Sequence, residues 1–290
     1  MATPETEPLI RNISDTARWV AAYRARETER QNPLFRDPFA RRLAGERGEQ
    51  IAATVKLASR GDWPLIARTL LFDQMIEAEV AAGTDLVVNM AAGLDARPYR
   101  MQLPKSLRWV EVDLPEIFDY KEGILAGERP VCALERVRLD LANVSARREL
   151  LARLAGSAKR MLVMCEGLLI YLAPEEVGSL ASDLSAVDGS LQKWIIDLGS
   201  PGLLRIMMRT TKDHLVKANA PFKFGPEEGP PFFEKFGWHP VTVRSFLKEA
   251  ARVGRLPWLL RLFALFPEST GRQGAQPWSA VCLLERKPGP

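Results

Sequence analysis

Cysteine and histidine are scarce in this chain of 290 residues, which has three cysteines and two histidines. Cys132, Cys165 and Cys282 are odd in number and all lie in apolar surroundings, which argues against a disulfide framework. They are predicted to be buried thiols in a reducing compartment rather than metal ligands, so no metal is expected. The scarcity therefore excludes the disulfide-rich secreted class and favours a cytoplasmic protein.

Long apolar runs are also missing. No stretch approaches the roughly 18 uninterrupted apolar residues that a membrane-spanning helix needs. The N-terminus, Met-Ala-Thr-Pro-Glu-Thr-Glu, has neither a basic start nor an apolar segment, which argues against a secretory signal. We therefore expect no membrane partner and a cytoplasmic location.

The chain has no long block of one charge, and its formal net charge is only +4. The number of basic residues (Lys and Arg) against acidic residues (Asp and Glu) is 12 to 12 over residues 1–80, 14 to 17 over 81–198 and 14 to 7 over 199–290. The basic surplus of the last third has two explanations, a solvated surface or an anionic substrate. Because the basic residues are scattered among apolar ones, nucleic acid is not an expected partner.

The stretch that organises the sequence is an apolar run, residues 85–90, followed by small residues, a glycine and an acid. β-Prone residues that end in Ala91-Ala92-Gly93 predict a buried strand whose end turns sharply past a ligand. A second apolar strand ends in Asp113, about 20 residues further on, the spacing at which nucleotide-binding βαβ units place an acid on ribose hydroxyls. The alternative is a structural glycine turn with Asp113 as a solvated strand end.

This turn is too poor in glycine for a phosphate site. A pyrophosphate-binding turn has three glycines, whereas here Gly93 stands alone. Asp95, just after the turn, would also disfavour a phosphate at the start of a helix. A nucleoside without phosphates, such as S-adenosylmethionine (SAM), needs less room and no anion site.

From residue 85 onward, strand and helix patterns alternate, which predicts an α/β fold with a doubly wound, mostly parallel sheet. Residues 81–198 are thus predicted to be the ligand-binding core. Ligands of such sheets bind at the carboxyl ends of the strands, where Asp113, Asp140, Glu166 and Asp197 fall. The predicted strands are residues 85–90, 107–112, 131–138, 160–165 and 191–197, with helical stretches around 95–101, 115–126, 145–155 and 174–187.

Helical patterns precede the first strand. Three helices are predicted here: the first covers residues 13–30, the second begins at Asp37-Pro38 and the third begins at Asp62-Trp63-Pro64. The third helix carries Arg68. Since the three helices lie ahead of the sheet in the sequence, residues 1–80 are predicted to form a helical cover.

The alternation breaks after the fifth strand. Residues 199–239 combine a basic helical stretch, 203–217, with a Pro/Gly/aromatic segment too irregular for the core. We predict a lid insertion over the substrate, the alternative being a surface connection with a few packed aromatics. Residues 240–290 should supply a last helix, 240–253, and a closing strand of the core, 278–285.

Motifs spread over nearly the whole chain carry a family resemblance. They are Thr-Ala-Arg-Trp-Val-Ala-Ala-Tyr-Arg-Ala-Arg-Glu (16–27), Ala-Ala-Gly-Leu-Asp-Ala-Arg-Pro-Tyr-Arg (91–100), Glu-Val-Asp-Leu-Pro (111–115), Leu-Asp-Leu (139–141), Cys-Glu-Gly-Leu-Leu-Ile-Tyr-Leu (165–172), Phe-Gly-Trp (236–238) and Pro-Trp-Ser-Ala-Val-Cys-Leu-Leu-Glu (277–285). In this order they resemble the leucine carboxyl methyltransferase-like family of class I SAM-dependent O-methyltransferases. The resemblance implies a Rossmann-like fold, SAM as cofactor and methyl transfer to oxygen.

The resemblance also implies which residues surround the cofactor. Gly93 and Ala91 would form the turn beside it, although the family usually has Gly-Ala-Gly there and Ala91 replaces the first glycine. Weaker or shifted cofactor contact is therefore expected, not loss of the site. Asp113 would accept hydrogen bonds from the ribose hydroxyls, and the neighbouring Leu114 would contact the cofactor.

The remaining cofactor contacts are implied in the same way. Asp140 with the backbone of Leu141 would hold the adenine amino edge. Glu166 would lie near the methionine part, where a carboxylate suits an ammonium group and a sulfonium. Arg68, with Arg24 as a second candidate, would grip the cofactor's carboxylate. For each acid the alternative is a capped loop or a surface salt bridge.

Two residues are candidates for catalysis. Tyr171 either lines the pocket near the methyl group or is a core tyrosine with a satisfied hydroxyl. His214 and His239 are the only histidines, so they are the side chains with an unperturbed pKa suited to a base near neutrality. His239 precedes Pro240 at a predicted helix start and is interpreted as structural, which leaves His214, in the predicted lid, as the candidate.

The sequence thus predicts a SAM-dependent O-methyltransferase that acts on a carboxylate or hydroxyl of a small molecule, with secondary metabolism as one setting. The rivals are a protein C-terminal carboxyl methyltransferase and a SAM-binding or nucleoside-binding protein without catalysis. An ionised carboxylate needs no general base, and the last third is basic, so we expect an anionic acceptor. The nearest cationic candidates on the predicted lid are Arg205, Arg209 and Lys212.

Overall fold

The computed structural model describes residues 13–54, 61–187, 189–215, 221–267, 274 and 276–286. Its centre is a sheet of seven strands in the order β3-β2-β1-β4-β5-β7-β6. Strands β1 to β5 are parallel to one another, whereas β7 runs antiparallel to both of its neighbours, β5 and β6. The strands are β1 Leu86–Met90, β2 Arg108–Asp113, β3 Ala133–Arg138, β4 Met161–Cys165, β5 Leu191–Gly199, β6 Trp238–Ser245 and β7 Ser279–Arg286. The mostly parallel sheet predicted from the alternation is confirmed.

Helices cover both faces of this sheet. The α-helices are α1 Ile13–Thr28, α2 Ala40–Thr54, α3 Trp63–Ala81, α4 Arg97–Arg100, α5 Pro115–Ile124, α6 Val144–Ala155, α7 Pro174–Ser185, α8 Pro201–Leu215, α9 Phe246–Arg252 and α10 Trp258–Arg261. Short 3₁₀ helices occupy Leu169–Tyr171, Pro230–Phe236 and Phe263–Leu265. None of the described helices combines the length and the apolar character needed to cross a membrane.

The core is divided by the sheet because successive strand residues point to opposite faces. Leu86, Val88 and Met90 of β1 pack with the apolar sides of α6 and α7. Val87 lies on the other face, in a cluster with Phe72 of α3 and residues of α9. All five residues of β1 are buried, which explains why its sequence is a continuous apolar run rather than an alternating one.

The prediction of a helix over residues 240–253 is wrong in its first half. Residues up to Ser245 belong to β6, and only Phe246–Arg252 is helical. β6 lies at the edge of the sheet, and its pairing with β7 shifts register between Pro240 and Thr242. Proline is tolerated at such an edge because its missing N–H costs no ladder bond at an irregularity.

The aromatic segment before β6 is not a surface connection. Phe222, Phe224, Phe232 and Phe233 are all buried, and the last three pack against one another in the main core. The expectation that this segment is too irregular for the core is therefore wrong, because ring packing compensates for the lack of regular backbone structure. The division into an N-terminal cover, a core and a lid remains a prediction.

The three cysteines are free and buried, as predicted. Burial raises the pKa of Cys132 to about 11 and that of Cys165 to about 12, and it raises the pKa of Cys282 as well. A thiol that stays protonated is a poor nucleophile and a poor metal ligand. These side chains therefore act as core residues.

Candidate active site

The turn after β1 adopts the left-handed backbone conformation that its small residues suggest. Gly93 has a φ of +51°, and Ala91 has a φ of 55°. Among the described residues other than glycine, Ala91 alone has a positive φ. The Gly93 N–H donates to Oδ2 of Asp113 at 2.6 Å, and the Leu114 N–H donates to Oδ1 at 2.8 Å. Burial raises the pKa of Asp113, although these two bonds oppose the shift. The glycine turn and the acid at the end of β2 therefore form one unit.

Helix α1 lies directly over this turn. A Cβ on Gly93 would lie 3.5 Å from the Ala17 Cβ, which is an ordinary van der Waals contact, so α1 packs directly against the turn. Arg24 fixes the helix there, because its Nη2 donates to the Leu94 carbonyl at 2.6 Å and its Nε to Asp37 at 2.9 Å. In this conformation Arg24 holds α1 against the turn.

Arg68, on α3, lies between two carboxylates at strand ends. Its Nε is 3.1 Å from Oε1 of Glu166, just after β4, and its Nη1 is 3.2 Å from Oδ2 of Asp197, on β5. The other Asp197 oxygen accepts from the Gly167 N–H at 2.7 Å. Burial alone would lower the pKa of Arg68, but Asp197 and Glu166 raise it. Glycine is required at 167, where φ is +69° and a Cβ would meet the Arg68 guanidinium at 3.0 Å.

A second buried arginine, Arg97, extends this ionic cluster and was not singled out from the sequence. Its Nε donates to Asp73 at 2.6 Å, and its Nη1 lies 2.9 Å from Asp95 and 2.7 Å from Glu166. Burial by itself raises the pKa of Asp95, but Arg97, with Lys121 and Arg100, lowers it to about 2. Glu166 is thus shared by Arg68 and Arg97.

One sequence signal could have located this cluster. Asp73 is an acid in the mostly apolar middle of α3, where Phe72 precedes it and Gln74 and Met75 follow, and it is buried. A lone acid on such a surface needs a cationic partner. Its partners, Arg97 and Arg100, lie in the motif that follows the glycine turn.

These groups line one cavity of about 960 Å³. The charged side chains of its lining at the strand ends are those of Arg24, Arg68, Arg97, Asp95, Asp113, Glu166 and Asp197, and Glu176, Lys223 and Lys248 line it as well. The rest of the lining is largely apolar and includes Trp19, Leu65, Ile170, Met207, Phe222 and Phe263. The cavity therefore joins a charged region to an apolar one.

Tyr171 belongs to the lining of this cavity. Its ring centroid lies 5.6 Å from that of Phe222, and its hydroxyl has a side-chain hydrogen bond with Thr16 of α1. Burial raises the pKa of Tyr171, since the Thr16 bond and Arg68 compensate only in part. The hydroxyl is therefore a hydrogen-bonding group and a poor base near neutrality.

Other predicted residues lie outside the described cavity lining. Leu114 is 39% exposed beside Asp113. Asp140 caps the loop after β3 by accepting from the Ala142 N–H at 2.9 Å, and Leu141 follows it. The adenine assignment of Asp140 and Leu141 remains a prediction.

The histidine and lid candidates also differ from expectation. His239 lies on edge strand β6, not at a helix start, and its Nδ1 is 3.8 Å from Glu234. His214 and Lys212 lie on the last turns of α8, where side chains are outside the described residues. Arg205 and Arg209 are exposed on α8, whereas its Leu203, Ile206 and Met207 line the cavity.

Comparison with known proteins gives a family match. The model of the leucine carboxyl methyltransferase family matches residues 17–185. A protein of Frankia alni, named as an S-adenosyl-L-methionine-dependent methyltransferase, is 32% identical over 255 residues, which cover 83% of this chain and 87% of the relative. A protein of Mycobacteroides abscessus with the same name is 32% identical over 287 residues, which cover 87% and 92%.

Two solved structures share the fold. A structure named as a methyltransferase from Thermobifida fusca has a TM-score of 0.60 at 13% identity and covers 97% of this chain and 96% of its own. A DUF574 family protein from Streptomyces avermitilis has a TM-score of 0.59 at 13% identity, with 94% and 97% covered. At this identity the likeness concerns the α/β architecture alone.

Proposed function

Because this chain belongs to the leucine carboxyl methyltransferase family and is a SAM-dependent methyltransferase, we propose that it methylates an oxygen of a small, largely apolar molecule. The observation that carries this proposal is the cavity of about 960 Å³, which combines the charged end with an apolar end. Such a shape has room for cofactor and acceptor side by side.

The charged end fits the cofactor chemically. Carboxylates and guanidiniums side by side suit a ligand that carries charges of both signs, and SAM carries a sulfonium, an ammonium and a carboxylate. We assign the ribose hydroxyls to Asp113, the ammonium to Glu166 and Asp197, and the carboxylate to Arg68. Each of these side chains is already oriented by a hydrogen bond or an ion pair.

SAM supplies an electrophilic methyl group on sulfur, and the acceptor oxygen forms the new C–O bond as the C–S bond breaks. The residues of the chain orient the reactants and exclude water, and these two effects supply much of the rate acceleration of a methyl transfer. Ala17 of helix α1 covers the turn, and the ring of Phe222 packs against the ring of Tyr171. The backbone N–H of Lys223 donates to the Ile170 carbonyl at 2.7 Å, which holds the two segments together.

The acceptor oxygen is proposed to be a carboxylate. A hydroxyl acceptor must lose a proton to a base, whereas an ionised carboxylate needs none. The described lining contains no histidine, and burial raises the pKa of Tyr171 away from the useful range. Exposed Lys223 and Lys248 line the cavity and replace Arg205 and Arg209 as candidates for attracting an anion.

The test is a methyl-transfer assay with labelled SAM on three acceptor sets: aromatic and aliphatic carboxylic acids, phenols of matched size, and peptides with a free C-terminal leucine. We expect transfer to apolar carboxylic acids, at a rate that is flat between about pH 6 and pH 9. Preference for phenols with a rate that rises with pH would replace the carboxylate by a hydroxyl. Preference for peptides would favour a protein carboxyl methyltransferase, and tight SAM binding without any transfer would favour a binding protein.

A further inference from the structure

The segment after α9 exposes an unusual amount of apolar surface. Of the twelve large hydrophobic residues that are exposed among the described residues, six lie between 258 and 266. Their exposed fractions are 62–80%, against 37–48% for the other six. They are Trp258, Leu259, Leu262, Phe263, Leu265 and Phe266, which we call the exposed patch. Contiguous apolar surface of this kind on a folded chain indicates an interaction site.

The exposed patch borders the opening of the active-site cavity. Phe263 and Phe266 belong to the patch and also line the cavity, and Leu260, which precedes them on α10, lines it as well. A surface that covers the patch would therefore lie against the cavity opening. An apolar molecule held in that surface could enter the apolar end without crossing water.

The one charged side chain of the described segment 258–267 is a cation, that of Arg261. Arg261 lies within the segment, and Lys223 and Lys248 line the adjoining cavity. All three are exposed, and none forms an ion pair with a carboxylate of the described residues. The nearest described acid on α9, Glu249, is neutralised by Arg244 and Arg252.

We propose that the exposed patch docks the protein onto an anionic phospholipid surface. Tryptophan, phenylalanine and leucine beside unpaired cations form the combination that favours the interface of an anionic bilayer. A second copy of the chain fits less well, because a symmetric contact would bring two copies of the same cationic surface together. Anionic headgroups complement these charges instead.

Docking of this kind differs from what the sequence led us to expect. The expectation of no membrane partner was based on the lack of a spanning run, and an interfacial segment needs no such run. Helix α10 and the following 3₁₀ helix are short, so the patch is a cluster of exposed side chains and not one face of a long amphipathic helix. The proposal concerns binding alone and holds whichever acceptor the enzyme uses.

The test is co-sedimentation of the full chain with vesicles of phosphatidylcholine alone or with one quarter phosphatidylglycerol. The test variant is Leu259→Ser/Leu262→Ser/Leu265→Ser, whose positions lie outside the described cavity lining. The control is Val241→Ser/Val243→Ser, which removes exposed apolar residues from β6. We expect salt-sensitive binding to the anionic vesicles, weakened roughly tenfold to a hundredfold in the triple variant and unchanged in the control.

Trp258 offers a second readout, because it is 75% exposed. Vesicles with brominated acyl chains should quench wild-type fluorescence more than that of Trp258→Phe. Three results would overturn the proposal: no sedimentation of wild type with anionic vesicles at low salt, equal binding by the triple variant, or a wild-type dimer that the triple variant converts to a monomer without vesicle binding. Protection of Trp258 from acrylamide by S-adenosylhomocysteine in the absence of lipid would also overturn it, since the segment would then fold over the cavity.

Discussion

The Gly93 N–H donates to Oδ2 of Asp113 at 2.6 Å, which couples the turn after β1 to the acid that ends β2. The same carboxylate accepts from the Leu114 N–H through its other oxygen. Each oxygen retains acceptor capacity, because a carboxylate oxygen has two lone pairs. Asp113 is thus held in place by the backbone and can still accept hydrogen bonds from a ligand.

Replacement of Asp113 by alanine should weaken SAM binding by roughly one to two orders of magnitude, since charge-assisted hydrogen bonds are worth about 1.5–3 kcal/mol. The second variant is Asp140→Ala, in the loop after β3 and outside the described lining, which tests the adenine assignment. Calorimetric titration of both variants measures the difference. Unchanged affinity in a folded Asp113→Ala protein would refute the ribose assignment, whereas a loss in Asp140→Ala would support the adenine assignment.

Ala91→Gly should leave SAM affinity equal or tighter and should not lower stability. The positive φ of Ala91 costs an L-residue roughly 1–2 kcal/mol, which offsets the roughly 0.5–1 kcal/mol entropic cost of glycine. The loss of stability expected from backbone entropy alone is therefore cancelled or reversed. Urea unfolding should show this against Ala92→Gly, which has no positive φ and should destabilise. Equal destabilisation by both would contradict the strain argument.

Arg97→Met should destabilise the fold by about 3–5 kcal/mol, because it leaves the buried Asp95 without its ion-pair partner, while Asp73 keeps Arg100. Arg68→Met should cost a comparable amount, since Asp197 loses its ion-pair partner while Glu166 keeps Arg97. Arg153→Met, which breaks an exposed pair with Glu135, should stay within about 1 kcal/mol. Denaturant unfolding ranks the three, and an Arg97 loss no larger than that of Arg153 would show that the cluster is not structurally coupled.

Stability should fall at low pH through Asp95. The folded-state pKa is depressed from the ordinary 3.8 to about 2, so the carboxylate stabilises the fold above pH 3.8, and that stabilisation is lost as the pH falls toward 2. The difference in unfolding free energy between wild type and Asp95→Asn should therefore shrink by about 2 kcal/mol between pH 6 and pH 2. Unfolding series at several pH values measure it, and a difference independent of pH would contradict the assignment.

Replacement of the histidines by glutamine should leave turnover within about tenfold once an acceptor is found. His239 lies on β6, outside the described lining, and a carboxylate acceptor needs no base. His214→Gln is the informative variant, because this residue lies on α8, which contributes Met207 to the lining. A thousandfold loss of kcat with SAM affinity intact would identify a histidine base and a hydroxyl acceptor.

The local sequence determined the elements whose signals are themselves local. The five parallel strands, the turn at Gly93 and the buried thiols follow from apolar runs, small residues and composition. Strand β6 was missed because Pro240 is a residue that often starts a helix, and a helix was therefore predicted for residues 240–253. In the structure, the first half of that range is extended because it pairs with β7, some 40 residues further on. That choice rests on a partner strand that no local window contains.

The ionic cluster was decided by tertiary structure for the same reason. Asp73, Arg97 and Glu166 belong to three separate segments, and nothing in the sequence says that these three side chains pair with one another. Only the docking of α3 against the turn and β4 removes them from water, and in that environment each charge requires the others. The sequence therefore determined which acids stand at the strand ends, and the fold determined which arginines hold them and that α1 covers them.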